Sequence, residues 1–280
     1  MTYSSASLFD IAGRVAVVTG GGGILCGEMS RALADLGVQV AVLDLDEEAA
    51  RAVAGEIKKD GGKAVGLPCN VLEVASIREA LKGVEKALGP VDILLNGAGG
   101  SHPKATTGSE TVAGRIDPSF FDLTPEGVQF VFNLNFLGTL LPTQVFGRGM
   151  VERKRGRILN ISSMSAFCPL TKVPAYSAAK AAISNFTQWL AVHFAPAGIR
   201  VNALAPGFFL TNQNRFLLTD KDTGKATPRG EKIISHTPMK RYGDPKDLIG
   251  AMVWLLSPSA DFVTGVVVPV DGGFSSYAGV

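Results

Sequence analysis

Several features are scarce in this chain of 280 residues, and each scarcity narrows the classes of protein to which it can belong. Its three cysteines, Cys26, Cys69 and Cys168, have neither metal-ligand spacing nor the even number of a disulfide framework. A formal net charge of only +2 gives no electrostatic case for nucleic-acid binding. No apolar run approaches the ~20 residues that span a bilayer, and the N-terminus lacks a signal-peptide pattern. We therefore expect a cytoplasmic protein without a metal, nucleic-acid or membrane partner.

What the chain does contain is an alternation of short apolar runs with amphipathic stretches. Hydrophobic residues make up 46% and charged residues 19%, the balance of a globular enzyme. Runs rich in Val, Ile and Leu with little alternation are typical of parallel strands buried on both faces. The sequence therefore predicts an α/β fold with one domain over 1–280, a doubly wound, Rossmann-like parallel sheet of about seven strands with helices on both faces. Strands are predicted at 14–18, 40–43, 63–67, 91–95, 156–161, 199–204 and 265–270, and helices at 47–59, 73–88, 124–134, 137–153, 175–194 and 245–256.

Two long segments without an evident helical or strand pattern, 98–122 and 206–240, directly follow predicted strands. Long loops in compact domains are often functional. Because the carboxyl edge of an open α/β sheet is where ligands bind, we expect both segments to form substrate loops there.

A glycine burst follows the first predicted strand, in the stretch VVTGGGGILCGEM. By itself it fits a tight turn as well as a loop that seats a dinucleotide pyrophosphate on a helix N-terminus. Asp44, at the end of the second strand, favours the second interpretation, since a carboxylate there can bind ribose hydroxyls and repel a 2′-phosphate. No Lys or Arg lies between Arg31 and Arg51 to offset that repulsion. The sequence therefore favours NAD(H) over NADP(H).

A second group of polar residues predicts proton-transfer chemistry. Tyr176 and Lys180, in YSAAK, lie on one helix face at a spacing of four. A nearby ammonium favours the phenolate and lowers the phenol pKa. Ser163, thirteen residues earlier, follows the fifth strand, and its hydroxyl can polarise a substrate carbonyl. A serine hydrolase built on Ser163 is disfavoured because no G-x-S-x-G elbow surrounds it.

The order TGGGG, Asp44, NGAG, Asn135 in NFLG, Ser163 in NISS, YSAAK and PGFFLT resembles the classical short-chain dehydrogenase/reductases over essentially the whole chain. The resemblance implies that Tyr176 is the general acid/base, that Lys180 lowers its pKa and holds the nicotinamide ribose, and that Ser163 orients the substrate. It implies that Asn135 supports a water in a proton relay, and that the chain forms a homotetramer or dimer. The cofactor residues that it implies are Gly20, Gly22, Gly23, Ile24, Leu25, Asp44, Leu45, Asn70, Val71, Asn96, Ala98, Gly99, Tyr176, Lys180, Pro206, Gly207, Phe209 and Thr211.

The chain departs from the family pattern at four positions. Ile24 and Cys26 replace two glycines, Asn70 replaces a common Asp, and Gly97 replaces the second Asn of NNAG. We expect Gly20 to Gly23 to make the turn, with Ile24 and Cys26 needing only helical dihedrals. Cys26 is favoured as a small packing residue, although a thiol at a helix N-terminus can also have a depressed pKa and act as a redox sensor.

The substrate loops are rich in hydrogen-bonding side chains, as in GFFLTNQNRFLL and SHP. A guanidinium and several amides suit a polyhydroxylated carboxylate, with His102, Ser163, Asn212 and Arg215 as the predicted substrate residues. TGGGGILC, AGGSHP and GFFLTNQNRFLL also resemble the fructuronate reductase (D-mannonate oxidoreductase) branch, which implies interconversion of D-fructuronate and D-mannonate. The alternatives are a 3-ketoacyl reductase and a catalytically silent NAD-binding regulator.

Overall fold

A seven-stranded parallel sheet lies at the centre of the computed structural model, which describes residues 5–112, 117–211, 214–221 and 223–279. Its strands run in the order β3-β2-β1-β4-β5-β6-β7, and every neighbouring pair is parallel. The predicted doubly wound sheet is confirmed, with each strand boundary within two residues of its expected place. The strands are β1 (Val15–Thr19), β2 (Gln39–Asp44), β3 (Ala64–Pro68), β4 (Ile93–Asn96), β5 (Gly156–Ile161), β6 (Ile199–Pro206) and β7 (Val267–Val270).

Helices connect the strands and cover both faces of the sheet. They are α1 (Ser5–Leu8), α2 (Ile24–Asp35), α3 (Glu47–Lys59), α4 (Val74–Leu88), α5 (Pro125–Phe132), α6 (Gly138–Glu152), α7 (Pro174–Phe194), α8 (Arg215–Leu218), α9 (Pro228–His236) and α10 (Ile249–Leu256). None of the described helices is both long and apolar enough to cross a membrane.

Two hydrophobic cores flank the sheet, because alternate residues of each strand face opposite sides. Ala16 and Val18 of β1 belong to the core that includes buried residues of α2, α3 and α10. Val15 and Val17 belong to the core that includes buried residues of α4, α6 and α7. All four side chains are at most 4% exposed. The near-continuous apolar strands in the sequence are thus explained by burial on both faces.

Helix α3 illustrates how local sequence produces these elements. Asp46 caps its N-terminus by accepting hydrogen bonds from the amides of Glu48 and Ala49. Its buried residues recur at helical spacing, and acidic and basic residues occupy its first and last turns. Capping, charge and periodicity therefore all favour the same helix.

The structure differs from the predicted pattern in two places. Segment 206–240 is not a continuous loop, since it contains α8 and α9; Thr227 caps α9 by accepting from the Gly230 amide, and Pro228 is its first residue. Helices α5 and α6 are joined by a π-helical turn, Asn133–Leu137. A π turn depends on one inserted residue in an otherwise helical pattern, which apolar periodicity alone does not reveal.

Candidate active site

The glycine-rich loop joins β1 to α2 and lies against the end of β4. Gly20 has a φ of 66°, and a side chain there would approach the Ala98 Cα to 2.9 Å. The Gly22 amide donates a 3.0 Å hydrogen bond to Asp44 Oδ2, and a Cβ on Gly22 would lie 3.0 Å from that oxygen. The loop therefore requires glycine for a positive φ and for close approach, and it holds the Asp44 carboxylate beside it.

Helix α2 begins directly after this loop, so Ile24 and Cys26 are helical, as predicted. Gly23 is its N-cap and supplies no side-chain hydrogen bond to the first turn. The N-terminal amides of a helix point outward and favour an anion. An uncapped helix N-terminus beside a cradle that a Cβ would fill fits the pyrophosphate of a dinucleotide, despite the two missing glycines.

Cys26 and Gly97, two of the departures from the family pattern, lie in direct contact. A Cβ built on Gly97 would overlap the Cys26 Sγ atom and would approach the carbonyl oxygen of Thr19 to 2.9 Å. The Cys26 side chain thus occupies the space that a side chain at position 97 would need. The two departures therefore compensate each other sterically.

The Cys26 thiol is buried, with 6% of the residue exposed. Burial raises its pKa to about 12, while the charge of Lys180 acts in the opposite direction. The alternative of a depressed pKa is excluded, and the favoured packing role agrees with the structure, because the desolvation of a thiolate outweighs the favourable field. Cys26 is a packing residue.

The four predicted catalytic side chains come together at the carboxyl edge of the sheet. Ser163 follows β5, and its side chain is hydrogen-bonded to that of Tyr176 on α7. Lys180, one turn further along α7, places Nζ 5.6 Å from the centre of the Tyr176 ring. A Cβ on Gly99 would lie 2.6 Å from Asn135 Oδ1 and 3.3 Å from Lys180 Nζ. These two polar atoms therefore face the same point above β4.

Asn135 lies in the π-helical turn and is fully buried. Its Nδ2 donates to the carbonyl oxygens of Val131 and Gly100, both at 2.8 Å. Its Oδ1 accepts a 3.3 Å hydrogen bond from the Gly100 amide. The side chain thus fixes the loop after β4 against the π turn.

Desolvation shifts the pKa values of Tyr176 and Lys180 on α7. It raises the pKa of Tyr176, with the Ser163 hydrogen bond acting in the opposite direction. It lowers the pKa of Lys180 to about 8, with Cys26 acting in the opposite direction. The lowering of the Tyr176 pKa that was expected from Lys180 is not found, since Nζ instead donates a 2.8 Å hydrogen bond to the Ile161 carbonyl. The phenol therefore holds its proton.

Two predicted cofactor residues direct their side chains into the core. Asn96 is 2% exposed and donates to Thr143 Oγ1 and Asn160 Oδ1. Phe209 is 3% exposed, and its ring fills the space beside Gly243. Neither side chain is available to a ligand, because both are buried and their contacts lie within the protein.

The remaining predicted cofactor residues differ in exposure. Leu45 is exposed beyond the end of β2, whereas Val71 is buried. Asn70 accepts a 3.0 Å hydrogen bond from the backbone two residues further on, so its side chain shapes its own turn.

The predicted cofactor residues after β6 form backbone hydrogen bonds. The Gly207 amide donates to the Val270 carbonyl, and the Thr211 carbonyl accepts from the Arg215 amide.

Of the predicted substrate residues, Ser163 and His102 lie on segments that border the catalytic helix. The Lys104 amide donates to His102 Nδ1 at 3.1 Å, which places the proton of a neutral ring on Nε2. Ala105, three residues further on, packs in one cluster with Tyr176, so this loop borders the catalytic helix. Arg215 begins α8 and is exposed. Asn212 lies outside the described residues.

Sequence reasoning missed the buried threonines Thr139 and Thr143, which continue from Asn135 along α6 at a spacing of four. That spacing was visible in the sequence. Polar residues on a helix face are ordinarily assigned to the solvent side, however, and only the structure shows these two to be in the core.

Comparison with known proteins agrees with the fold. The chain matches the family model adh_short_C2, described as enoyl-(acyl carrier protein) reductase, over residues 25–275. UxuB of Bacillus subtilis (strain 168), named an uncharacterized oxidoreductase, is 52% identical over 274 residues, which are 97% of this chain and 98% of that protein.

Two solved structures are similar over nearly the full length. A Haemophilus influenza protein proposed to be a D-mannonate oxidoreductase, with bound NAD, has a TM-score of 0.92 and 51% identity, covering 99% of this chain and 100% of that chain. A gluconate 5-dehydrogenase of Burkholderia cenocepacia J2315, in complex with NADP and tartrate, has a TM-score of 0.84 and 29% identity, covering 98% of this chain and 100% of that chain. The family match, the identity over the full length and the shared fold show that this chain belongs to the short-chain dehydrogenase/reductase family of oxidoreductases, which act on alcohol and ketone groups.

Proposed function

We propose that this protein is an NAD(H)-dependent oxidoreductase that interconverts the ketone and secondary alcohol of a sugar acid, D-fructuronate and D-mannonate. The observation that carries the proposal is the convergence of Ser163, Tyr176, Lys180 and Asn135 beside the glycine loop that holds Asp44. A catalytically silent binder would need no such combination. The similarity to a proposed D-mannonate oxidoreductase and to a gluconate 5-dehydrogenase supports a sugar acid as substrate.

The proposed roles follow from the protonation states of the side chains. Tyr176 holds a proton at neutral pH and donates it to the substrate oxygen during reduction, or accepts it back during oxidation. Ser163 donates a hydrogen bond to the same oxygen. Lys180 and Asn135 supply the polar path that returns a proton to Tyr176. A bound nicotinamide supplies or accepts the hydride.

The preference for NAD(H) is proposed from the charges around the glycine loop. Asp44 stands at the ribose position, where it would repel a 2′-phosphate. Arg31 lies beside a cavity of about 280 Å³ that borders Gly22 and Gly23. Its guanidinium is paired with Glu56 and Glu28, with N···O distances of 2.6 and 3.5 Å. Arg31 is therefore already neutralised and offers little to a 2′-phosphate.

Coenzyme kinetics test this preference. We expect a higher kcat/KM with NADH than with NADPH for the wild type, and a narrower ratio for Asp44→Ala, because the substitution removes the repelling carboxylate. Asp46→Ala, which removes a nearby carboxylate that caps α3, serves as the matched control and should keep the ratio. A wild type that uses NADPH more efficiently would show the placement of Asp44 to be wrong.

An anionic substrate is supported by the charges on three neighbouring segments. Glu110 forms an ion pair with Lys232 of α9 at 2.5 Å, which lowers the pKa of the Glu110 carboxyl, and Lys172 and Arg229 add to this effect. The Thr107 amide donates to the Lys172 carbonyl, four residues before Tyr176. Three cations, Lys172, Arg229 and Lys232, thus lie near one another on these segments against Glu110 and Glu231, and a local excess of positive charge favours an anion.

Substrate assays test the sugar acid. With NADH, we expect turnover of D-fructuronate and a higher KM for it in Arg215→Ala, since Arg can bind a carboxylate bidentately. Arg51→Ala, which removes an exposed guanidinium from α3, is the control. Turnover of an acetoacetyl thioester alone would indicate a 3-ketoacyl reductase. NADH binding without turnover of either compound would indicate a regulator.

The proposal includes a homo-oligomer, a dimer or tetramer, in the cytoplasm. Trp189 and Val192 of α7 are 56% and 78% exposed, which is unusual for large apolar side chains. Light scattering coupled to size-exclusion chromatography measures the state directly, and a monomer at micromolar concentration would contradict it.

A further inference from the structure

A chain of buried hydrogen bonds starts at Asn96, the last residue of β4, and extends in two directions. Its Nδ2 donates to Thr143 Oγ1 at 3.0 Å and to Asn160 Oδ1 at 2.9 Å. All three residues are at most 2% exposed. Both protons of the amide are thus used inside the core, on α6 and on β5.

The first branch leads to the catalytic asparagine. Thr143 Oγ1 donates to the Thr139 carbonyl at 2.7 Å, and Thr139 Oγ1 donates to the Asn135 carbonyl at 2.9 Å. Both threonines are at most 2% exposed. This branch therefore ends on the backbone of the π-helical turn that orients the Asn135 side chain.

The second branch leads to the catalytic helix. Asn160 Nδ2 donates to Thr187 Oγ1 at 2.9 Å, and Thr187 Oγ1 donates to the Ile183 carbonyl at 2.8 Å. Ile183 lies on α7, one turn beyond Lys180. One asparagine is thereby connected to both elements that carry the proposed proton path.

The hydrogen-bond partners determine the orientation of the Asn96 amide. Each threonine hydroxyl has one proton, and the helix carbonyl four residues earlier receives it, so each hydroxyl oxygen can only accept from an amide. A turned-over Asn96 amide would place its Oδ1 against two acceptors. In the observed orientation Oδ1 is buried without a partner, and Nδ2 makes both hydrogen bonds.

We infer that Asn96, Thr143 and Thr139 are positioning residues, which keep the π turn formed and thereby hold Asn135 opposite Lys180. The inference rests on the proposed roles of Asn135 and Lys180. A π turn contains one more residue per turn than an α-helix, and it persists where surrounding contacts favour it. Relaxation to α-helix would rotate Asn135 by about 100° away from Gly100 and Lys180.

Thr143→Val tests the inference, because valine keeps the shape but neither accepts from Asn96 nor donates to the Thr139 carbonyl. We expect kcat to fall by about 10- to 100-fold, the range for misplaced catalytic groups. The pH dependence of kcat should shift, while the KM for NADH stays within about twofold, since the glycine loop is untouched. Thr143→Ser keeps the hydroxyl and should restore both kcat and the pH profile.

The matched control is Ser257→Ala. Ser257 is also buried, and its Oγ donates to the Trp254 carbonyl at 2.9 Å at the end of α10, outside the predicted substrate loops. Equal kcat and pH profiles for Thr143→Val and Ser257→Ala would overturn the inference. If Thr143→Val does not fold, Thr139→Val cuts the same branch one turn closer to Asn135, and an unchanged pH profile in that variant would overturn the inference equally.

The assay does not depend on the sugar acid. The kcat of each variant relative to the wild type is measured with any ketone that the wild type reduces. If D-fructuronate is not reduced, the proposed substrate is overturned, but this comparison of variants can still be made. If the wild type reduces no ketone, the readout is NADH affinity measured across the pH range in which Lys180 titrates. Thr143→Val should shift this pH dependence, and Ser257→Ala should leave it unchanged.

Discussion

Tyr176 combines a raised pKa with a hydrogen bond to Ser163. Desolvation penalises the phenolate, so the side chain at neutral pH is a proton donor that awaits an acceptor. The hydrogen bond from the Ser163 side chain stabilises the phenolate and so offsets part of this rise in the pKa. At the scale of single residues, the neutral phenol is thus the form present at neutral pH, and it is the form that the proposed reduction of a ketone requires.

Replacing Tyr176 by phenylalanine removes the proton donor and keeps the ring. We expect kcat to fall by about 10²- to 10⁴-fold, the usual contribution of a positioned acid. NADH affinity, measured by fluorescence titration, should stay nearly unchanged. Tyr277→Phe removes a hydroxyl near the C-terminus and should leave kcat unaltered. Undiminished turnover of Tyr176→Phe would exclude this mechanism.

At the scale of elements, the contact between the start of α2 and the end of β4 explains the unusual glycine pattern. Cys26 is the residue of α2 that fills the space beside Gly97. Protein interiors are close-packed, so a side chain can be added at one of these positions only if it is removed from the other. The two positions should therefore behave as a coupled pair.

A double-mutant cycle measures this coupling. Gly97→Asn alone forces an overlap with Cys26 and should destabilise the fold by about 1–3 kcal/mol. Cys26→Gly alone leaves a small void at the helix start. The double substitution should recover much of the lost stability, with a coupling free energy of about 1 kcal/mol or more in urea unfolding. Additive effects of the two changes would contradict the steric explanation.

At the scale of the whole molecule, burial of Lys180 couples stability to pH. The folded protein holds this amine with a pKa of about 8 against an ordinary 10.5. The unfolded chain therefore binds more protons between those values, and stability rises with pH in that window. Below about pH 8, burial of the charged amine lowers the free energy of unfolding by its full amount, and above pH 10.5 this destabilisation is gone.

Lys180→Met removes this penalty and keeps the length of the side chain. Between pH 7 and 9.5, the free energy of unfolding of the wild type should gain about 2 kcal/mol relative to the variant. Urea denaturation of both proteins at the two pH values gives the difference. Lys82→Met, at an exposed position of α4, is the control and should follow the wild type. Parallel pH dependences of wild type and Lys180→Met would show that Lys180 titrates normally.

The sequence by itself determined the elements whose cause is local. Apolar runs of four to six residues, glycines at 20 to 23 and a Tyr–Lys spacing of four are periodic or stereochemical signals, and each acts within a few residues. They were sufficient for the parallel sheet, for the helical start at Ile24 and for pairing Tyr176 with Lys180. The role expected of Asn135 came only from the family resemblance.

Tertiary structure alone decided the properties that depend on neighbours distant in the chain. Packing between elements accounts for three of these properties. It raises the pKa of the buried Cys26 thiol, turns the Asn96 side chain into the core, and brings Lys180 Nζ to the Ile161 carbonyl. The exposure and hydrogen-bond partners of these side chains are set by residues distant in the chain, such as Thr19, which lies 78 positions before Gly97. The desolvation that shifts these groups exists only once the sheet and helices have closed around them.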